Sequence, residues 1–438
     1  MISAPLGRLR DVRYNGPVTG SRFGGDRSEA RRLAVGAEAD IVQAVQQACA
    51  RRGRVRAVGA RGSKNGSHQT PGASLHLDRY NSLLSVSDRL VTIQAGMTCG
   101  ELNAVLERHG LALPTMGEWK HATLAGAVLT GTHGASCQHG ILSTSVRAVR
   151  IVTGDGRVIQ IERGDRWFPH VGVSLGLLGI VSTITFDCVE LFGLALEARV
   201  VPVDRYLAEY RRQNQDNEFY SAVWMPAADA VITYAANRTA APAGPVRWPQ
   251  RFNFSTLLLT ALGRHWNTKP LVADRCFRRR VVGTSGDILT PIARSPRLAH
   301  AVRQLAKGVQ EVEFAVPAHR ATATVTALDE LLRRHPGSLA NAVGLRESAG
   351  DSFSLSPCFQ RGCFWVSLFF CQGDEFVAEL RELFQRLEAR CHWGKHVMLP
   401  ADHLRGQYPN WNAFMEARTE LDPMGVFAND FAQEYGLA

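Results

Sequence analysis

Lysine is scarce in this chain: of 50 basic residues only Lys64, Lys120, Lys269, Lys307 and Lys395 are lysine, and the rest are arginine. Against 40 acidic residues this leaves a formal net charge of +10. A nucleic-acid surface gathers its charge into a stripe with interleaved aromatics or a reading helix. Here the arginines are scattered and the tightest run, Arg278-Arg279-Arg280, is short. The excess reads as solvated surface with some attraction for an anionic ligand, and no nucleic-acid partner is expected. Paired cysteines are also lacking. Nine Cys stand at irregular spacing without one CxxC, which predicts reduced, mainly buried thiols rather than a disulfide framework. The start, Met1-Ile2-Ser3-Ala4-Pro5, has no basic segment leading into an apolar core, so no secretory signal is expected. The most apolar stretch, Val171 to Phe186, is too short for a membrane span and is broken by Gly172, Gly176 and Gly179. The cytoplasm is the default expectation.

Several chemical signatures are missing as well. No GxGxxG follows an opening strand and no GxxxxGK[ST] occurs, so a nicotinamide site or a nucleotide triphosphatase has no motif behind it. There is no HExxH and no spaced His/Cys cluster. The 14 His are expected at the surface or in hydrogen bonds, with no metal centre.

What is present is a long, glycine-rich α+β pattern. The 438 residues are 45% hydrophobic, ample for one or two cores. Helical spacing covers Ala37 to Arg52 and about Cys99 to His109. Strands are predicted at Arg54 to Val58, Ser74 to Leu77, Leu90 to Gln94 and Val146 to Val152; the last turns through Thr153-Gly154-Asp155-Gly156 into a strand ending at Ile161. Beyond about Glu190 glycine thins out. Strands are predicted at Ala222 to Met225, Ala230 to Tyr234, Gln310 to Ala315 and Phe364 to Phe370, with helices at Thr324 to Arg334 and Asp374 to Ala389. This middle part reads as an antiparallel sheet with helices on one face.

Three glycine-rich stretches lie beside predicted strands: Gly59 to Ser67, Thr123 to Gly134 and Gly172 to Gly179, the last leading into a strand from Ile180 to Phe186. Backbone amides freed from side-chain bulk suit an extended anionic ligand, while tight turns alone give the same composition. On residues alone both readings stand.

The stretches Val58-Gly59-Ala60-Arg61-Gly62-Ser63, Gln94-Ala95-Gly96, Gly126 to Gly134 and Gly176-Leu177-Leu178-Gly179-Ile180 together resemble the flavoprotein family of vanillyl-alcohol oxidase. The similarity is to its branch of aldonolactone and alditol oxidases and dehydrogenases. Later segments agree in order: His392-Trp393-Gly394-Lys395, Tyr408-Pro409-Asn410-Trp411 and Leu421-Asp422-Pro423-Met424-Gly425-Val426-Phe427. The resemblance implies an α+β fold: a two-subdomain FAD-binding domain of the PCMH type with an inserted α+β substrate domain. The expected boundaries are 1–190 for the FAD domain, 191–399 for the substrate domain and 400–438 for a segment returning to the first.

The resemblance also implies FAD, with Val58, Gly59, Ala60, Arg61, Gly62, Ser63, Ala95, Thr123, Gly126, Thr130, Gly131, His133, Gly134, Gly179 and Ile180 around it. The reaction implied is oxidation of CH–OH to C=O in a small alcohol or sugar-like substrate, with oxygen or another electron acceptor. Lys395 is placed at the substrate oxygen, where a cation stabilises a developing alkoxide. Arg346 is expected to serve that oxygen or an anionic group further out. His392 joins the catalytic candidates, and Trp393 is either a pocket wall or core. Glu311 and Glu313 alternate with Val312 and Phe314, so both carboxylates share one strand face, and Glu313 is carried as the candidate base.

Two departures stand out. Gly62 occupies the place of the histidine that tethers flavin covalently in many members, so FAD is expected to be held non-covalently; His68 lies off that motif. Gly344 stands where the branch has the Glu of a Glu-x-Arg pair, ahead of Asp351 and Ser356-Pro357. A missing carboxylate removes charge and acceptors from substrate recognition. The expected substrate is therefore a modified, sugar-like alcohol of specialised metabolism rather than a simple polyol or lactone. Ala95 resembles the oxygen gate of lactone dehydrogenases.

Overall fold

The computed structural model describes residues 31–239, 276–278, 309–339, 342–371 and 373–438. The chain start at Met1–Pro5, Lys269, Lys307, Arg279 and Arg280 lie outside them. The first sheet is small and parallel, in the order β1 (Arg31–Ala34), β3 (Ala73–His76), β2 (Val55–Val58). A helix, Glu38–Ala50, links β1 to β2 and buries Ile41, Ala44, Val45 and Ala48, the i, i+3, i+4, i+7 stripe read from sequence. Its start is held by Asp40, which accepts the amides of Gly36 and Ala37 at 2.8 and 2.9 Å.

A second sheet of five strands is antiparallel. It contains β4 (Leu83–Ser87) and β5 (Leu90–Gln94), then β7 (Val146–Val152), β8 (Val158–Glu162) and β9 (Ile180–Asp187), in the order β4-β5-β9-β7-β8. The short β6 (Leu111–Ala112) pairs with β10 (Val189–Glu190) beside it. These two sheets lie in the part of the chain expected to bind FAD.

The third sheet is the large one: β11 (Gly193–Pro202), β12 (Phe219–Met225), β13 (Ala230–Thr239), β14 (Cys276–Arg278), β15 (Val309–Pro317), β16 (Val343–Ser348), β17 (Cys363–Cys371) and β18 (Arg390–Cys391). Its order is β14-β11-β13-β12-β16-β17-β15-β18, antiparallel throughout. Alternate residues divide its faces. One face packs on helices: Phe314 stacks on Phe384 at 3.9 Å, Phe370 meets Phe376, and Phe364 meets Tyr210 edge-on. These rings belong to the helices Asp374–Arg386 and Val203–Asp216, with Ala321–Arg334 beside them. The other face carries Glu311, Glu313, Trp365, Ser367 and Arg346 toward the FAD-binding domain, where Trp365 stacks flat on His133 at 3.8 Å.

The chain after Pro400 returns to the first domain. Val55 donates to the Val426 carbonyl at 3.0 Å, the buried Arg56 guanidinium donates to Phe427 at 2.7 Å, and the Asn429 amide reaches the carbonyls of Gly66, Ser67 and Gln69. At the turn after the helix Trp411–Leu421, the buried Asp422 carboxylate accepts the amides of Val426 and Phe427 while Gly425 adopts φ +62°. The described cysteines Cys49, Cys99, Cys137, Cys188, Cys358, Cys363 and Cys391 are all free thiols. Elements unread in the sequence include β1, β4, β11 with the helix that follows it, and the helix Trp411–Leu421. The segment around Gly344 is a central strand, β16.

Candidate functional site

Three distant segments of the chain meet at one place. β2 runs into the loop Gly59–Ser63, where Arg61 takes the left-handed region at φ +54°. Gly59 is forced to be glycine, because a Cβ there would lie 2.2 Å from Thr123 Oγ1. Lys64 donates its amide to the Gly394 carbonyl at 2.9 Å, and the Asn65 side chain donates to Trp393 and Lys395 carbonyls, both at 2.7 Å. The first glycine loop is thereby tied to both the second glycine stretch and the turn that bears Lys395.

The loop fits a diphosphate-bearing cofactor on the chemistry of its donors. Among the described residues, the amides of Ala60, Arg61, Gly62 and Ser63 donate to no protein acceptor, and Ala60 to Gly62 are exposed. Nearby, the buried Nδ1 of His68 has no partner. Gly62 has no side chain to bond a flavin; a Cβ there would meet the Trp119 indole, at Nε1 3.7 Å and Cδ1 3.8 Å. In the second stretch the helix Leu124–Leu129 begins after Thr123, whose hydroxyl accepts the Gly126 amide at 3.4 Å, and Thr130 donates back to the Gly126 carbonyl at 2.8 Å. Gly131 adopts φ +74°, and Gly134 packs so closely that a Cβ would sit 2.1 Å from Thr115 Oγ1. Ala95 is fully buried and donates to the Ser182 carbonyl at 2.9 Å. Val58 and Ile180 lie buried in their sheets, and a Cβ on Gly179 would press on the Val152 carbonyl at 2.8 Å.

Facing this region is a row of the large sheet, read across strands as Glu313, Ser367, Gly344 and Val223. Glu313 is buried and satisfied: it accepts from Ser367 Oγ at 2.7 Å and lies 3.4 Å from His133 Nε2. Burial pushes its carboxyl upward, but His133 and the neighbouring Arg346 outweigh that and hold it well below the usual range. Burial also depresses His392, to about 3, so its ring is neutral near pH 7. Ligating atoms of His133, Glu313 and His392 come within 4.8 Å of one another, an arrangement no sequence spacing announced. The tautomer argues against a metal there. His392 Nδ1 accepts the Gly394 amide at 2.9 Å, so the neutral ring carries its proton on Nε2 and has no free lone pair to offer. Hydrogen bonding accounts for this cluster.

The neighbouring positions hold the site's mobile charge. Lys395 Nζ is hydrogen-bonded to Glu311 Oε1, and Lys64 Nζ lies 3.6 Å from Glu311 Oε2. Burial pulls the Lys395 ammonium down, yet Glu311 and Glu313 raise it above its ordinary value. Arg346 pairs with Glu118 at 3.1 Å and is likewise kept charged against burial by Glu118 and Glu313. A Cβ on Gly344 would stand 3.1 Å from Ser367 Cβ, a tight approach, and 3.8 Å from Arg346 Nη2, so glycine here fits the close packing of β16 on β17 and leaves no side chain beside the guanidinium. Trp393 is core: fully buried, it donates to the Leu355 carbonyl at 2.8 Å and stacks on Tyr408. The fold thus brings Lys395, Arg346, Glu313, His392, His133 and the first glycine loop together. Lys64, Glu118 and the bridging role of Glu311 were not foreseen; scarcity of lysine was the only available hint for Lys64.

Residues 184–435 match the family described as D-arabinono-1,4-lactone oxidase, and residues 30–162 match an FAD binding domain. The chain is 26% identical over 401 residues to L-gulonolactone oxidase of Mus musculus, covering 87% of this chain and 89% of that protein. It is 28% identical over 409 residues to L-gulono-1,4-lactone dehydrogenase of Mycobacterium tuberculosis, covering 90% and 93%. To alditol oxidase of a Streptomyces species it is 27% identical over 396 residues, covering 86% and 89%. Its fold is similar to that of cholesterol oxidase from Brevibacterium sterolicum, with a TM-score of 0.71 at 15% identity over 92% of this chain and 93% of that one. With glycine loops suited to a dinucleotide and a charged sheet face set against them, the chain is an FAD-dependent oxidoreductase that belongs to the D-arabinono-1,4-lactone oxidase family.

Proposed function

We propose that the protein oxidises the CH–OH group of a sugar-like or modified alcohol of specialised metabolism, passing the electrons to oxygen or another acceptor. The observation that carries this reading is the pair of cations, Arg346 on the sheet face and Lys395 in the turn after β18, set against the glycine loops. Bound FAD supplies the two-electron acceptor for the carbon-bound hydride. Lys395 meets the reacting oxygen and stabilises the negative charge that grows on it. Arg346, fixed by Glu118, holds a neighbouring oxygen or an anionic group. The amides of Ala60 to Ser63 bind the cofactor's phosphates, and Gly62 leaves the flavin untethered. His133, Glu313 and His392 form the floor that keeps the sheet face in register with the FAD domain.

Gly344 supports a substrate that differs from simple polyols and lactones. With no carboxylate at that position, the acceptors for two adjacent hydroxyls are gone and the neighbouring Arg346 is left to meet an anionic substituent. The second reading, a lactone or alditol oxidase or dehydrogenase, rests on the relatives' names. An absorption spectrum of the pure protein, followed by anaerobic mixing with xylitol, sorbitol, gulonolactone, galactonolactone and substituted alcohols, tests both. Flavin bands that bleach best with substituted alcohols support the proposal. A kcat/KM above about 10⁶ M⁻¹s⁻¹ with a simple polyol or lactone refutes its substrate class, and a flavin that nothing reduces refutes the activity.

A further inference from the structure

We propose that Glu311 is the general base of this site, and that the substrate oxygen enters between Glu311 and Lys395. The inference rests on the oxidation proposed above and names the group that takes the proton. Removing a hydride from the carbon leaves an O–H proton to be accepted, so the base must lie at the oxygen that Lys395 stabilises. Glu311 is the carboxylate in direct contact with Lys395 Nζ. An oxygen inserted into that pair accepts a hydrogen bond from the ammonium and donates its own to the carboxylate.

The other candidates on this face are already committed. Glu313 is closed off by Ser367 and His133 and is too weak a base in that setting. Glu118 is held by Arg346. His392 spends Nδ1 on the Gly394 amide, and His133 Nδ1 lies 2.8 Å from the Gly134 carbonyl. Glu311 differs from the sealed Glu313 in its exposure and in its second partner, and its backbone is fixed. Its side chain is 17% exposed, so a proton taken from substrate has a route to water. Lys64 stands on its second oxygen, so the carboxylate keeps a partner when substrate separates it from Lys395. Its backbone is anchored: the Glu311 amide lies 3.2 Å from His396 Nδ1, and the His396 amide donates to the Glu311 carbonyl at 3.0 Å.

The step balances as follows. The alcohol O–H bond breaks and its proton passes to a Glu311 oxygen. The C–H bond breaks with its electron pair leaving as hydride to the oxidised flavin that this family binds, and the C=O bond forms. The carboxylic acid then returns its proton to solvent.

Glu311→Gln tests the assignment, because glutamine keeps the length and the acceptor for Lys395 and removes the basicity. The readouts are anaerobic flavin reduction by the best-reducing member of the panel, with benzyl alcohol added as an apolar probe, and the Kd for FAD from fluorescence quenching. The expected result is a limiting reduction rate lower by about 10²-fold or more, the scale of general-base catalysis, with FAD affinity retained. Glu311→Asp recovers part of the rate, and Glu311→Gln combined with Lys395→Met loses less than the product of the single losses, since both act on one oxygen. A wild-type limiting rate in Glu311→Gln overturns the assignment while leaving the proposed oxidation standing. Loss of FAD in both Glu311 variants recasts the residue as structural and overturns it too. A wild-type protein whose flavin no panel member reduces overturns the oxidation itself.

Discussion

Replacing Glu313 separates a structural carboxylate from a catalytic one. Its surroundings set the size of the effect. Glu313→Ala leaves the Ser367 hydroxyl without its acceptor at 2.7 Å and removes the partner of His133 at 3.4 Å, both in a region closed to water. Each stranded buried donor costs about 1–3 kcal/mol, and breaking a buried pair from one side costs about 3–5 kcal/mol in all. A loss of about 4 kcal/mol is expected, and about half that for Glu313→Gln, which keeps one acceptor. For a domain of this size that corresponds to a fall in melting temperature on the order of 10 °C for the alanine variant. The pH dependence has a fixed sign. The folded carboxyl is held below its unfolded value, so its contribution is complete above the unfolded value near 4.5 and is lost as pH falls through the folded one. Urea unfolding of wild type and Glu313→Gln, followed from pH 7 downward, therefore shows a gap that narrows only in the acid range. A glutamine variant with unchanged stability and no flavin reduction would refute this reasoning and restore Glu313 as the base.

The flavin is expected to be free of covalent attachment, so acid precipitation releases all yellow colour to the supernatant, and colour retained in the pellet contradicts the role given to Gly62. Lys395→Met, which keeps the stem and removes charge and donors, is expected to cost about 3 kcal/mol in the transition state, a fall of roughly 10²-fold in the limiting reduction rate; rapid mixing shows substrate Kd changed little. Gly344→Glu restores a carboxylate 3.8 Å from Arg346 Nη2 at its Cβ and is expected to raise kcat/KM for xylitol relative to a substituted alcohol, whereas an unchanged ratio removes Gly344 from specificity. Asn429→Ala strands the carbonyls of Gly66, Ser67 and Gln69 and is expected to lower melting temperature and weaken FAD binding, measured by flavin release on heating.

Much of the FAD domain was readable because local rules act there without competition. The helix Glu38–Ala50 shows its buried stripe directly, β5 and β7 match their predicted spans, and glycine marks each close approach between loops. The substrate domain was harder. In β11 the alternation of Leu194, Leu196 and Ala198 is the signal that finds the strand, but Glu197 and Arg199, interleaved with and following them, lower its mean hydropathy and hide it from a search for apolar runs. β16 carries Gly344, Arg346 and Glu347, a composition that resembles a loop; only pairing on both sides, with Trp224 to Ser221 and with Ser367 to Cys363, makes it a central strand.

The site itself divides along the same line. Periodicity placed Glu311 and Glu313 on one face, and that geometry holds. It could not rank them, because the rank is set by what each carboxylate meets across the domain interface. Two positions along β15 separate a group pressed between Ser367 and His133 from one bridged by Lys64 and Lys395. Ser367 lies on the adjacent strand β17, while the others come from the first glycine loop, the second glycine stretch and the turn after β18, which the chain brings together only after the tail has closed on the first domain. A carboxylate sealed among fixed donors loses basicity, while one whose partner a substrate oxygen can displace is within reach of that oxygen's proton. The difference between a floor and a base therefore lies in tertiary contacts that no local pattern encodes, even though both residues sit in a single legible strand.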